Sequence, residues 1–212
     1  MRLPIGQAGT ALLERALPHL EELDLVLYEE AQGHQTPQNP AHAEDYETLA
    51  RIDDPHLRLL IDVSMLMPQL PVSYLDALSA GGVNPELVRI LSTEWQDPAT
   101  QVAVFDALRD GAVPPRVHTL FMDLVIRFGR SNAAALTGVL SLIGGVHVKF
   151  WDLDDADGRV TGPVRDLATM LRTCRFTGTL CSEWGGHEWL DADATEMTRA
   201  HLALTRTILS SR

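Results

Sequence analysis

The feature that most constrains the fold is a set of short apolar runs that alternate with helical patterns. Four runs are predicted to be strands: "DLVLYEE", "LRLLIDVS", "VHVKFWDL" and "GTLCSEW". Each run is apolar almost throughout, which is typical of parallel strands that are buried on both faces. Segments with apolar residues at helical spacing separate them, such as "LLERALPHLEEL", "AEDYETLARI", "VRDLATMLRT" and "ATEMTRAHLALTRTIL". This order predicts an α/β protein built on a parallel sheet.

One long stretch departs from this alternation. Residues 72–142 are predicted to be helical throughout, in five segments: "VSYLDAL", "PELVRILSTEW", "ATQVAVFDALRD", "RVHTLFMDLVIRFG" and "NAAALTGVLSLI". Gly-Gly, Asp-Pro and Pro-Pro pairs break the pattern within this stretch. The chain shows no internal repeat and no long linker. We therefore expect a single domain over residues 1–212, with a helical insertion between its second and third predicted strands.

Composition and charge exclude several classes of partner. The chain has 212 residues, 45% of them apolar, which is enough for a sizeable core. Its net charge of −12, without any basic cluster, argues against a nucleic-acid partner. No apolar run approaches the roughly 20 residues of a membrane span, and the N-terminus lacks a signal-peptide pattern. Cys174 and Cys181 lie in apolar surroundings and are interpreted as reduced core thiols. We expect a cytoplasmic protein without a membrane partner.

Each predicted strand carries a candidate metal ligand at or near its end. These ligands are Glu30 (with Glu29 as the alternative), Asp62, His147 and Glu183. In parallel α/β folds, functional groups gather where the carboxyl ends of the strands meet. A single acid there is more often a helix cap or a solvated residue, but four successive candidates indicate a site. Carboxylates with one imidazole suit Mn²⁺, Mg²⁺, Co²⁺ or Zn²⁺.

The motifs "YEEAQGHQTP", "LLIDVS", "VHVKFWD" and "TGTLCSEWGGHEW" resemble those of the xylose isomerase-like TIM barrels. "HVKF" and "SEWGGHEW" are similar to the branch that contains C-glycoside deglycosidase large subunits. The resemblance covers about residues 10–205 and implies a divalent metal, with Mn²⁺ preferred, held by Glu30, Asp62, His147 and Glu183. It implies a partial (β/α)₈ barrel whose four strands match the last four of the family. A complete barrel has eight strands and about 250 residues, so its N-terminal half is expected to be absent.

The resemblance also implies a chemistry. A metal that binds a sugar carbonyl acidifies the adjacent C–H, and Glu30 and Glu183 would move the proton as paired acid/base groups. The leading hypothesis is an isomerase or epimerase that acts on a sugar or polyol through an enediolate. The alternatives are a C-glycoside deglycosidase (lyase) subunit and a non-catalytic half-barrel interaction subunit.

Other side chains near the strand ends have two interpretations each. Lys149 shares a face with His147 and is predicted to stabilise an enolate oxygen, with pairing to a nearby Asp as the alternative. Gln32, His187 and Trp184 are predicted to bind substrate, although a surface loop or the core would also explain them. The acids of "DLDDADG" are interpreted as a solvated turn, because a calcium loop needs a Glu at its twelfth position. Four histidines are expected to be solvated: His19, His42, His56 and His201.

A half-barrel would leave two strands without neighbours. The strands that bear Glu30 and Glu183 would each lack a partner in this chain, and bare edges promote association. The isolated chain is therefore predicted not to be a monomer. It would form a homo-oligomer, require a separate N-terminal half-barrel partner, or aggregate.

Overall fold

A computed structural model describes residues 1–155 and 157–210. The strands are β1 (Arg2–Pro4), β2 (Leu27–Ala31), β3 (Leu57–Asp62), β4 (Ile143–Phe150) and β5 (Thr179–Trp184). They form one parallel sheet in the order β1-β2-β3-β4-β5. Each strand lies beside its successor in the chain, as in a (β/α)₈ barrel. The predicted α/β class is confirmed, and the sheet is consistent with part of such a barrel.

Helices connect the strands and form the insertion. They are α1 (Thr10–Glu22), α2 (Ala43–Ile52), α3 (Val72–Ala80), α4 (Pro85–Thr93), α5 (Pro98–Arg109), α6 (His118–Phe121), α7 (Asp123–Ile126), α8 (Thr161–Thr173) and α9 (Ala194–Ser210). Short 3₁₀ turns cover Val63–Leu66, Pro115–Val117, Ala133–Leu142 and Gly186–Glu188. No helix in the described part of the chain combines the length and the apolar character that a membrane span requires.

The two faces of the sheet carry different side chains, because successive residues of a strand point to opposite sides. On the outer face, Leu59, Ile61, Val146 and Val148 are buried in one apolar cluster with residues of α1, α2, α8 and α9. The inner face carries the alternate residues, which include Glu30, Asp62, His147, Lys149 and Glu183. The outer face therefore supplies most of the core, and the inner face carries the candidate ligands.

The helical insertion has an apolar cluster of its own. Tyr74, Trp95, Phe121 and Phe128 are buried there together with Trp151, which directly follows β4. Phe128 meets Trp151 edge to face, with ring centroids 5.0 Å apart. Trp151 and its aromatic neighbours therefore fix the insertion against the carboxyl end of β4.

Four strands were predicted and five are described. Strand β1 was missed because three residues are too few to show a period. Pro4 lies opposite Glu30 in the parallel pairing of β1 with β2. The prediction that the strand bearing Glu30 has no partner in this chain is therefore wrong. The outermost strands of the described sheet are β1 and β5.

The last part of the insertion is less helical than predicted. "RVHTLFMDLVIRFG" contains only the short α6 and α7, and "NAAALTGVLSLI" is largely a 3₁₀ turn. The backbone at Gly129 and Ser131 donates hydrogen bonds to the carbonyls of Ser64 (2.8 Å) and Met65 (3.0 Å). These contacts with the loop after β3 require extended backbone, so a continuous helix cannot form there.

Two predictions about burial were also wrong, and a third, the solvated acidic turn, holds only in part. Cys174 and Cys181 are free and exposed, because they follow the end of α8 and lie on the inner face of β5 respectively. His201 is only 1% exposed, since α9 packs it against β5 and the ring of Phe150. The acidic turn is partly buried: Asp152 accepts hydrogen bonds from the backbone N–H and the hydroxyl of Ser73.

Candidate metal centre

Four side chains converge at the carboxyl end of the inner face. Glu30, Asp62, His147 and Glu183 each offer one ligand atom, and these atoms all lie within 4.8 Å of one another. The parallel register causes this convergence, since Asp62 lies opposite His147 on the neighbouring strand. Nδ1 of His147 lies 2.6 Å from Oε1 of Glu30 and 2.9 Å from Oε2 of Glu183. The structure thus brings the four predicted ligands together, while their binding of a metal stays a prediction.

The choice between Glu29 and Glu30 follows from the alternation of β2. Glu30 points to the inner face and contacts His147. Glu29 is only 1% exposed, accepts a hydrogen bond from the backbone N–H of Gly6 and lies near Asp45. Burial raises the pKa of Glu29 to about 7. Glu30 is therefore the acid that β2 contributes to the cluster.

The acids of the cluster differ in their protonation behaviour. Burial raises the pKa of Asp62 to about 6, although Lys149 and hydrogen bonds with Ser64 oppose this shift. The Ser64 amide donates to Oδ1 of Asp62 at 2.8 Å. Contact with His147, and then with Lys149, lowers the pKa of Glu183 to about 2. The contacts of His147 with Glu183 and Glu30 raise the pKa of its imidazole to about 9. Glu183 and Glu30 therefore favour a positive charge on the His147 imidazole.

Two cationic side chains flank the carboxylates. Nη1 of Arg2 lies 2.7 Å from both carboxylate oxygens of Glu30, and 3.2 Å from Nδ1 of His147. Arg2 is accessible from solvent, with 51% of its side chain exposed. Nζ of Lys149 donates to Oε1 of Glu183 at 2.7 Å. Lys149 therefore pairs with Glu183, which lies opposite it on β5, rather than with a nearby Asp.

The donor set fits a divalent cation. Three carboxylates and one imidazole suit Mn²⁺, Mg²⁺, Co²⁺ or Zn²⁺ better than a thiolate-preferring ion. Bonds of about 2.0–2.2 Å place ligand atoms roughly 3–4.4 Å apart around an octahedral ion, close to the observed spread. Oε2 of Glu183 is buried and lies 2.9 Å from Nδ1 of His147, so an ion between them would be held by both side chains.

The three predicted substrate-binding residues lie at or just after the carboxyl ends of β2 and β5. The backbone N–H of Gln32, in the loop after β2, donates to Oε1 of Gln35 at 3.1 Å. The indole N–H of Trp184 donates to the carbonyl of Trp151 at 2.8 Å. His187 is exposed and lies edge-on to Trp184, with centroids 6.0 Å apart. Their substrate contacts stay predictions.

Sequence reasoning missed two charged residues near the site. Arg2 lies on the three-residue strand β1, which no pattern revealed. Asp123 lies in the insertion, where Oδ1 is 3.3 Å from Nε of Arg127, and Arg127 forms an ion pair with Glu188 of the loop after β5. The one available signal for Asp123 was an acid inside the apolar segment "LFMDLVI".

No family model matches the chain. It is 26% identical over 196 residues to the 3'-dehydrocarminate deglycosidase alpha subunit of a Microbacterium species, covering 86% of this chain and 56% of that relative. It is also 26% identical over 216 residues to the C-glycoside deglycosidase alpha subunit of Arthrobacter globiformis, covering 97% of this chain and 60% of that relative. The chain thus spans little more than half the length of these curated relatives. Both names agree with the deglycosidase alternative better than with the leading isomerase hypothesis.

Proposed function

We propose that this chain is a subunit of a metal-dependent enzyme that cleaves C-glycosides by elimination. The observation that carries the proposal is the convergence of Glu30, Asp62, His147 and Glu183 beside Lys149 on the inner face. The two relatives named as deglycosidase alpha subunits support cleavage of a glycoside over isomerisation. We propose Mn²⁺ as the preferred ion.

The proposed elimination depends on the position of the ketone in the substrate sugar. A 3'-dehydro sugar has its carbonyl at C3', so the C2'–H bond is acidic and the bond from C1' to the aglycone is β to the carbonyl. When a base removes the C2' proton, the electron pair of the C2'–H bond forms a C1'=C2' double bond as the bond from C1' to the aglycone breaks. The aglycone carbon then takes up a proton. The site needs a base, an acid and a positive charge near the carbonyl oxygen.

Residues of this chain can supply these groups. A divalent ion at the four ligands would polarise the carbonyl and lower the pKa of the adjacent C–H. Glu30 and Glu183 lie on either side of His147, at 2.6 Å and 2.9 Å, so one can take the proton while the other returns one. The Lys149 ammonium is held by Glu183 and stabilises negative charge on the substrate oxygen.

We also propose that the chain works with a partner polypeptide. Both relatives are named alpha subunits, and the inner face bears a cleft of about 410 Å³. Arg2, Tyr28, Leu60, Gly145 and Cys181 are among its lining residues. A second copy or a separate half-barrel would cover this cleft. Gel filtration with light scattering should give a mass above the 23.3 kDa of one chain. A stable, metal-bound and active monomer would contradict this proposal.

Product analysis tests the reaction. Protein incubated with Mn²⁺ is given an aryl C-glycoside oxidised at C3' and, separately, a keto-sugar in D₂O. We expect release of the aryl group and deuterium exchange at C2', both slowed by about 10²-fold or more in Lys149→Met. An epimerised keto-sugar without aryl release would favour the isomerase, and metal binding without either reaction would favour a non-catalytic subunit.

A further inference from the structure

An open pocket of about 440 Å³ lies at the amino end of β5, between α8 and α9. Its lining includes four large apolar side chains and two arginines: Leu171, Phe176, Leu180, Leu209, Arg172 and Arg175. This end of the parallel sheet is opposite to the end that carries the candidate ligands. A cavity of about 150 Å³ already holds a benzene molecule, so this pocket has room for a leucine side chain. The pocket is therefore a candidate docking surface that is separate from the metal centre.

The two arginines of the pocket have no acidic partner within residues 1–155 and 157–210. Both are exposed, and Arg172 donates a hydrogen bond to Oγ1 of Thr169 at 3.3 Å. Arg175 follows the end of α8 with a φ of 55°, in the left-handed position that glycine usually occupies there. Arginine at this position adds a second positive charge beside the apolar lining. The pocket therefore suits an occupant that is both acidic and apolar.

The segment "EELDL", residues 21–25, has this composition and lies at the same end of the sheet, where α1 ends before β2. Leu23 and Leu25 are 64% and 41% exposed. The three acids are exposed as well, and in the described part of the chain they form no ion pair: Glu21, Glu22 and Asp24. The backbone N–H of Leu25 donates a hydrogen bond back to α1 at 2.9 Å, which holds the segment in a fixed turn. A preformed turn loses little conformational entropy when it binds.

We infer that residues 21–25 of one copy dock into this pocket on a second copy of the chain. The leucines enter the apolar part of the pocket, and the acids pair with Arg172 and Arg175. Since β3 and β4 lie between β2 and β5 in the sheet, the segment and the pocket are separate surfaces of one molecule. A two-fold symmetric dimer forms the contact twice, because each copy gives its segment to the other. The inference rests on the proposed function, in which the chain works with a partner polypeptide, and it specifies that partner.

Apolar burial and charge pairing both favour this contact. Leu23 and Leu25 would lose exposed apolar surface to the pocket, which is favourable in water. The net charge of −12 repels two copies at long range, but physiological salt screens this repulsion beyond about 8 Å. The short-range pairing of acids with arginines therefore decides the orientation in which two copies meet.

Charge reversal in the full chain tests the inference. Arg172→Glu/Arg175→Glu and Glu22→Arg/Asp24→Arg each place like charges against each other in both contacts of the dimer. We expect sedimentation velocity to show a wild-type dimer, and a dissociation constant about 100-fold or more higher in each variant. An equimolar mixture of the two variants should recover a dimer with twice the 23.3 kDa mass of one chain. In that mixed dimer, one contact has wild-type charges and the other has both charges reversed.

Arg89→Glu/Arg109→Glu is the matched control, since it makes the same change in net charge on exposed residues of the insertion. It should not change the dissociation constant. A dimer that neither reversal weakens, or a mixture of the two variants that stays monomeric, would overturn the inference. A wild-type monomer that gains mass only with a separate polypeptide would overturn it as well, and would leave the proposed function standing. Recovery of the dimer in the mixture without aryl release by the wild type would support this inference and contradict the proposed reaction alone.

Discussion

Consecutive residues on the same strand point to opposite faces of the sheet. The outer face carries apolar side chains, whereas the inner face carries charged and polar ones. On β3, Leu59 and Ile61 are fully buried in the outer cluster, and Asp62 points inward to the candidate ligands. On β4, Val146 and Val148 pack outward and alternate with the inward-facing His147 and Lys149. The outer face provides the burial that stabilises the fold. The inner face can therefore carry charges whose arrangement serves binding rather than stability.

The largest expected effect is on the inner face. Asp62→Ala and His147→Ala should each reduce divalent-metal affinity by more than about 100-fold, beyond the 10–100-fold typical of losing an outer-shell partner. Elemental analysis after incubation with Mn²⁺ measures this loss. Cys181→Ser is the control, because Cys181 lies on the same face outside the ligand set. Equal metal content in all of these proteins would contradict the assignment.

A substitution on the outer face should lower the stability of the fold and leave metal affinity unchanged. Leu59→Ala removes a fully buried side chain and should lower the free energy of unfolding by about 2–5 kcal/mol. Urea unfolding measures this change. Metal affinity should stay at the wild-type value under conditions where the variant is folded. A variant that keeps its stability but loses its metal would show that the two faces are not independent.

Lys149→Met separates the metal ligands of the inner face from a group expected to act on the substrate. It removes the ammonium that contacts Glu183 and none of the four ligands. We expect turnover to fall by about 10²-fold or more, as for a lost electrostatic contact, with metal content nearly unchanged. Loss of the metal or unfolding of this variant would mean that Lys149 is structural.

The smallest predicted effect is a pH dependence of the free energy of unfolding, which arises from His201 on the outer side of the sheet. His201 accepts or donates a hydrogen bond with Oγ of Ser182 at 2.7 Å, and burial lowers its pKa to about 4. Between that value and about 6.5, the unfolded chain binds more protons at His201 than the folded chain. This contribution to stability is complete above pH 6.5 and is lost as the pH falls toward 4.

The loss should amount to about 2 kcal/mol between pH 7.5 and 5. Urea unfolding of wild type and His201→Gln at both pH values isolates this contribution, because the other titrating groups are common to both proteins. Parallel pH dependences for the two proteins would refute the assignment to His201.

The sequence was most informative where local pattern and chain direction act together. The span of α2 was predicted in full, and the grouping of Glu30, Asp62, His147 and Glu183 followed from their place at the ends of parallel strands. In contrast, the link from Asp123 through Arg127 to Glu188, in the loop after β5, depends on how a helical insertion of about 70 residues folds back. No local period encodes such a contact.

The sequence pattern also could not predict which single polar residues are buried. His201 lies on a helix whose sequence resembles a solvated one, and its burial depends on the position of α9 against β5. The short strand β1 likewise forms because its backbone pairs with β2, with only three residues to indicate it. Tertiary contacts decided these features.

We propose that the inner face holds a divalent ion between Glu30, Asp62, His147 and Glu183. A crystal of the protein grown with Mn²⁺, with data collected at the manganese absorption edge, tests it most directly. We expect one strong anomalous peak about 2.0–2.2 Å from a ligand atom of each residue. Absence of a peak at this position, or a peak held by other side chains, would contradict it.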